Sequence, residues 1–410
     1  MRDGAAHGRA GRMTSTDIKH DLREKVQRQK AFFASQGPGG LLAYVHTAPA
    51  AKEDNSGTPY ARMFADKNSD DLKNKEGLAG FVYRAVINGR GEVIPNETSI
   101  DAAVGAFVRQ HREKLAESES PPPGDAIPCV YPHWDIGWHT AAMVGLPPSY
   151  SKGSWWLEPN LDWEAIDQLH FDPSNPWLVT AKHTHKALWK YWDEDYWTMP
   201  FIHRSPLDYA NGLRGTVLFM EMLTIPDRVK GLLDWCVDWQ LKVEAFIYDG
   251  IIFPEEWGTG IMGTWGPERA VWVNGDPVGL ISRQMMGEFE QPYTGRLFTS
   301  TGRGFFHNHT LGLYQADRVA ATPGIHMQNF ARDLNRPTVE QTLLEDPAAR
   351  DRILSASLQT PIHISSMTPE TVRSVLPILK DGRFMLDIAC EKNDDREVVA
   401  REIRQVSRIQ

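Results

Sequence analysis

The last third of the chain alternates between two hydrophobic periods. Short apolar or β-branched runs with two-residue alternation read as strands at 269–276, 303–309, 322–330, 360–366 and 383–390. Stretches with a 3.6-residue pattern read as helices at 282–300, 338–357, 368–382 and 393–409. Helix 368–382 opens on Thr368-Pro369, a capping residue with proline at the first helical position, and stops at Gly382. Strict strand–helix alternation implies parallel strands joined by crossover helices. Five such units, with about three more upstream, match the count of a (β/α)8 barrel; an open doubly wound sheet is the alternative.

Upstream the pattern is weaker. Residues 14–35 read as a capped amphipathic helix closed by Gly37-Pro38-Gly39-Gly40, residues 48–76 as irregular, and 97–118 as a second helix. A Ser/Pro-rich stretch ending at Asp125 reads as a linker. The expected organisation is therefore an N-terminal extension over 1–118, mainly helical and irregular with a disordered leader over 1–13, followed by the barrel over 126–410. Within the latter, 127–131 and 199–203 read as strands, 207–224 as a helix with another after Pro226, and 243–253 as a strand.

Composition narrows the function classes. The 410 residues are 41% hydrophobic and 24% charged, as in a globular protein, and the net charge of −9 disfavours nucleic acid and anionic membrane as partners. No apolar run is long enough to span a bilayer. Three cysteines, Cys129, Cys236 and Cys390, cannot supply a disulfide framework and fit a reducing cytoplasm. Nine of the 14 tryptophans lie between Trp134 and Trp197. They suit a bulky core or an aromatic-lined pocket, with Trp134, Asp135 and Trp138 in the loop after the first strand as candidate lining. No glycine-rich nucleotide motif follows any strand.

The candidate chemistry sits where strands end, which is where barrel enzymes carry their active sites. Asp276, then His307 and His309, His326 and Gln328, His363 and Ser365, and finally Cys390 occupy consecutive strand ends. His307 and His309 are two apart in a strand and should share a face. Two imidazoles and a thiolate suit Zn2+, with His326, Gln328 or a carboxylate as a possible fourth ligand. Such a site can deprotonate a thiol or a water.

The segments His203-Arg204-Ser205-Pro206-Leu207-Asp208, Leu213-Arg214-Gly215, Gly275-Asp276, Leu280-Ile281-Ser282, Phe289-Glu290-Gln291-Pro292, the His307 strand and the Cys390 strand together resemble the uroporphyrinogen decarboxylase-like superfamily of (β/α)8 barrels over about 127–410. The resemblance is nearest to its zinc-dependent corrinoid and thiol methyltransferases, which carry His-x-Cys on one strand and a further Cys at the end of the last. His307 matches the first position, His309 replaces the first Cys, and Cys390 matches the distal one. The resemblance implies methyl transfer between a corrinoid or small donor and a thiol acceptor. It implies Zn2+ on His307, His309 and Cys390, a small-molecule substrate, a corrinoid protein as possible partner, and a possible homodimer. Asp276 and His203 become candidate catalytic groups, with Arg204 and His363 lining the pocket. The alternatives are a metal-free decarboxylase or lyase on a carboxylated ligand, with Arg204, Arg214 and Arg303 as anchors, or a ligand-binding barrel without catalysis. The arginine cluster of the true decarboxylases is not found before residue 130, although Asp135 could take the place of their aspartate.

Overall fold

The computed structural model describes residues 14–47, 78–88, 93–116, 123–130, 149–151, 154–156, 161–253, 258–267, 269–333 and 335–409. Residues 1–13, the expected irregular stretch 48–76 and the loop carrying Trp134, Asp135 and Trp138 lie outside them.

In chain order the strands are β1 (Gly40–Thr47), β2 (Cys129–Val130), β3 (Ser149–Ser151), β4 (Ser154–Trp156), β5 (Trp197–Thr198), β6 (Ile202–Arg204), β7 (Gly258–Ile261), β8 (Thr264–Pro267), β9 (Val271–Asn274), β10 (Gly304–His309), β11 (Ile325–Ala331), β12 (Ile362–Met367) and β13 (Arg383–Cys390). Seven form one sheet in the order β1-β13-β12-β11-β10-β9-β6, and every pairing in it is parallel. β2 and β5 form a separate parallel pair, while β3-β4 and β7-β8 are antiparallel hairpins. The fold is thus α/β with crossover helices, as the alternation predicts. The described ladders do not run continuously round into a closed barrel.

Two expectations change. Residues 40–47, expected within an N-terminal extension, form the edge strand β1, paired with β13 from Gly40↔Arg383 to Thr47↔Cys390. The 118–126 boundary therefore does not separate the N-terminal region from the sheet. Residues 243–253, expected as a strand, begin inside the helix Pro226–Ile247. There Val243 and Ile247 continue the buried stripe of Val229, Leu233 and Val237, so helical burial overrides the β-branched composition.

The strands of the seven-stranded sheet bury residues on both faces, as parallel strands do. On one face Val271, Val273 and Phe306 pack against helices Pro226–Ile247 and Gln291–Thr301. On that same face Leu41, Ala43, Val45, Ile364, Leu386 and Ile388 pack against helices Pro347–Gln359, Pro369–Leu379 and Asn393–Val406. On the other face Ile202, Trp272, Phe305 and Met327 cluster together, as do Leu42 and Met385 with Phe32.

The N-terminal helix Ser15–Ala34 is tied into this core. The Gln29 Nε2 donates to the carbonyls of Asp125 (2.6 Å) and Gly263 (2.9 Å), and its Oε1 accepts from the Trp265 N–H. Phe33 stacks on His326 near the start of β11, with ring centroids 3.9 Å apart. Asp125, almost fully buried, accepts from the Ala43 N–H (2.9 Å) and pairs with Arg28 (3.0 Å), while its own N–H donates to the Ala43 carbonyl (2.6 Å). The segment leading into β2 therefore lies against β1. Among the described residues no helix is long and apolar enough to cross a membrane.

Candidate metal centre

β10 ends in His307-Asn308-His309. The two-residue period puts both histidines on the face that carries Phe305, while Asn308 is buried on the other. The neighbouring strand β9 ends at Asn274, opposite His307, and Gly275 turns the chain so that Asp276 follows directly. One ligand atom from each of Asp276, His307 and His309 lies within 4.8 Å of the other two. The His309 Nε2 is 3.6 Å from the Asp276 Oδ1. Asp276 is about half exposed and His309 about one third, so the group opens towards solvent.

The other nitrogen of each imidazole lies near an oxygen, with hydrogen-bond geometry in His307 only. His307 Nδ1 lies 2.5 Å from the Asn329 Oδ1, and His309 Nδ1 lies 3.1 Å from the Asp333 Oδ1. Asp333 is itself fixed by the Leu311 N–H (2.7 Å) and the Thr310 hydroxyl (3.2 Å). The hydrogen bond to Asn329 sets the His307 ring plane and leaves its Nε2 as the ligand atom. Trp272 stacks on His307 at 5.3 Å, with 28° between the ring planes. Burial holds the His307 imidazole down at about 4, so it is neutral at pH 7 and carries a free lone pair. Two imidazoles and a carboxylate form a donor set that Zn2+ accepts, with room for an exchangeable position.

Arg204, at the end of β6, pairs with Asp208 at 3.2 Å. Burial pushes the Asp208 carboxyl up to about 7; Arg204 opposes this and the Asp276 charge adds to it. Glu290 beside it accepts from the Ser205 hydroxyl (2.9 Å) and is also pushed up to about 7, chiefly by burial.

The other expected site residues lie elsewhere. Cys390 shares the phase of Leu386 and Ile388 and is buried in the helix-side core, where burial pushes its thiol up; it does not join the Asp276 group. The nearby polar residue of β13 is Asp387, on the opposite face, 2.9 Å from His46 of β1. His326 stacks on Phe33 and meets Phe305 edge to face near the start of β11, and burial holds it down at about 3. Gln328 faces the helices, donating to the Ala316 carbonyl at 3.2 Å. His203 is fully buried on the helix side of β6, its Nε2 2.7 Å from Glu244 of helix Pro226–Ile247, so it does not face the group. His363 is buried one strand beyond Asn329. Trp134, Asp135 and Trp138 are outside the described residues.

Sequence reasoning missed Asn329 and Asp333. The alternation on β11 slips by one residue, since Gly304 pairs with Ile325 but Phe305 pairs with Met327. His326 is the extra residue of this bulge, and beyond it the face shared with His307 passes to Asn329.

No family model matches the sequence, and no curated protein matches it. Among solved structures, a methyltransferase from Methanosarcina mazei is similar at a TM-score of 0.47 and 10% identity, covering 95% of this chain and 99% of that one.

Proposed function

We propose that this chain is a metal-dependent methyltransferase that holds Zn2+ through Asp276, His307 and His309. The observation that supports the metal is the convergence of three donor atoms within 4.8 Å, with the second nitrogen of His307 already engaged by the Asn329 amide oxygen. Methyl transfer, from a corrinoid or other small donor to a thiol, is the reaction implied by the resemblance of the segments from His203 to Cys390. A Zn2+ ion supplies Lewis acidity that lowers the pKa of a thiol.

The rest of the chemistry falls to the chain. His307 and Asp276 come from adjacent strands and fix the donor spacing, and the Asp333 carboxylate lies beside the His309 Nδ1. Trp272 covers one side of His307, so the approach to the site is from the side where Asp276 is exposed. Arg204 is a cationic anchor within electrostatic reach of the site through Asp208. Cys390 has no part in this reading, so the ligand set contains no protein thiolate. The fold reading is an eight-stranded barrel in which β2 and the β5-β6 segment fill the gap between β1 and β9. The hydrogen bonds between Asp125 and Ala43 support it.

The test is elemental analysis of untagged protein. About one zinc per chain, lost in His307→Ala, together with a thiol-dependent change in the absorption of the Co2+ form, would support the proposal. Well-folded protein with no metal would refute it. The lyase reading would then take over, because Arg204 is a cation near the same strand ends.

A further inference from the structure

We infer that Asn329 is the positioning residue that fixes the tautomer of His307 and so decides which nitrogen is offered to a metal. This rests on the metal reading above, but the tautomer itself can be measured without metal.

The inference follows from the partners of the Asn329 amide. Its Nδ2 lies 2.7 Å from the His363 Nδ1, 2.8 Å from the Ser365 Oγ and 3.3 Å from the His363 backbone carbonyl. A carbonyl oxygen can only accept, so the amide nitrogen must face this side. The amide oxygen is then fixed on the opposite side, 2.5 Å from the His307 Nδ1. An oxygen acceptor at that distance requires the hydrogen to sit on Nδ1, which leaves Nε2 as the nitrogen offered to a metal. The same amide donates to the His363 Nδ1, which puts the His363 hydrogen on Nε2. One side chain thereby sets opposite tautomers in two histidines: Nδ1–H in His307 and Nε2–H in His363.

The arrangement is rigid. Asn329 is 1% exposed and His363 is fully buried, and the pairing His307↔Asn329↔His363 runs straight across β10, β11 and β12. The amide cannot rotate without turning its oxygen onto the His363 carbonyl. His363 is therefore a support for Asn329 and not a ligand, although its sequence position suggested a place in the pocket.

The experiment compares wild type with Asn329→Leu, which keeps the volume and removes the acceptor, and Asn329→Asp, which keeps an acceptor towards His307. Nitrogen-15 imidazole spectra of metal-free protein at pH 7 are recorded, with the His307 signals assigned by His307→Gln. Wild type should show His307 protonated at Nδ1 only, and Asn329→Leu should show a mixture of tautomers. Co2+ and Zn2+ titrations should give an affinity loss of about 10- to 100-fold for Asn329→Leu, with part of it recovered in Asn329→Asp, which keeps the acceptor towards His307 but sets an oxygen against the His363 carbonyl. Circular dichroism confirms that each variant is folded. Wild-type His307 protonated at Nε2 would overturn the inference, as would an unchanged metal affinity in Asn329→Leu. If wild type binds no metal, the metal reading fails alone, and the imidazole spectra still decide the role of Asn329.

Discussion

Gly275→Ala should damage the fold and the site together. Gly275 joins the end of β9 to Asp276, and its N–H donates to the His307 carbonyl at 2.8 Å. A Cβ built on it would meet the Phe306 ring at 2.2 Å. That is about 1.2 Å short of the 3.4 Å at which ordinary van der Waals contact begins. Phe306 is fully buried among Val271, Val273 and the helices beyond them, so the ring has little room to retreat. The turn must move instead, by an amount comparable to the whole shortfall. Overpacking of this kind costs about 1–3 kcal/mol. It also carries Asp276 away from His309, and metal–ligand distances hold to within about 0.2 Å of their usual values. Urea unfolding should show the stability loss, and Co2+ titration should show at least a tenfold loss of affinity. Phe306→Leu in the Gly275→Ala background should recover part of both, giving a coupling of about 0.5–3 kcal/mol in a double-mutant cycle. Wild-type stability and affinity in Gly275→Ala would refute the packing argument, and a cycle with no coupling would show that Phe306 is not the obstacle.

Three further outcomes are expected. Asp125→Ala removes the carboxylate that joins Arg28 and the Ala43 N–H, and urea titration should show a loss of about 3 kcal/mol; a loss below about 1 kcal/mol would mean the N-terminal helix is only loosely attached. Because the His326 pKa is about 3 folded against 6.5 free, the unfolded chain takes up the proton first as pH falls, so its contribution is full above 6.5 and drains between 6.5 and about 3. His326→Phe, which keeps the stacking on Phe33, should lessen the acid destabilisation at pH 4 by about 3 kcal/mol, and an unchanged pH–stability curve would contradict the burial of a neutral ring. Cys390→Ser should leave the metal content unchanged while costing about 1–3 kcal/mol for a hydroxyl set among Ile388 and Leu386; loss of the metal would return Cys390 to the ligand set.

Much of the site was legible because strand alternation is local. His307 and His309 are two apart on a strand whose partner ends next to Asp276, and nothing interrupts the phase between them. β1 was not legible, because Leu41 to Val45 is a short apolar run whose partner lies more than 300 residues away at β13, so no neighbouring segment announces the pairing. On β11 the bulge at His326 reverses the phase, and counting by twos through it selects Gln328 where Asn329 is correct. Cys390 is a different case, for the information was present. In the β13 sequence Arg383-Phe-Met-Leu-Asp-Ile-Ala-Cys390, Phe384, Leu386 and Ile388 share one phase and Asp387 occupies the other. A carboxylate set among the aliphatic side chains of the helix layer would lose its hydration without a partner, a cost of several kcal/mol. Asp387 must therefore face away from that layer, where it meets His46, and Cys390 must face into it. The residue whose misplacement costs the most fixes the phase of a strand, and on β13 that residue is Asp387, whatever role a cysteine in that position might suggest.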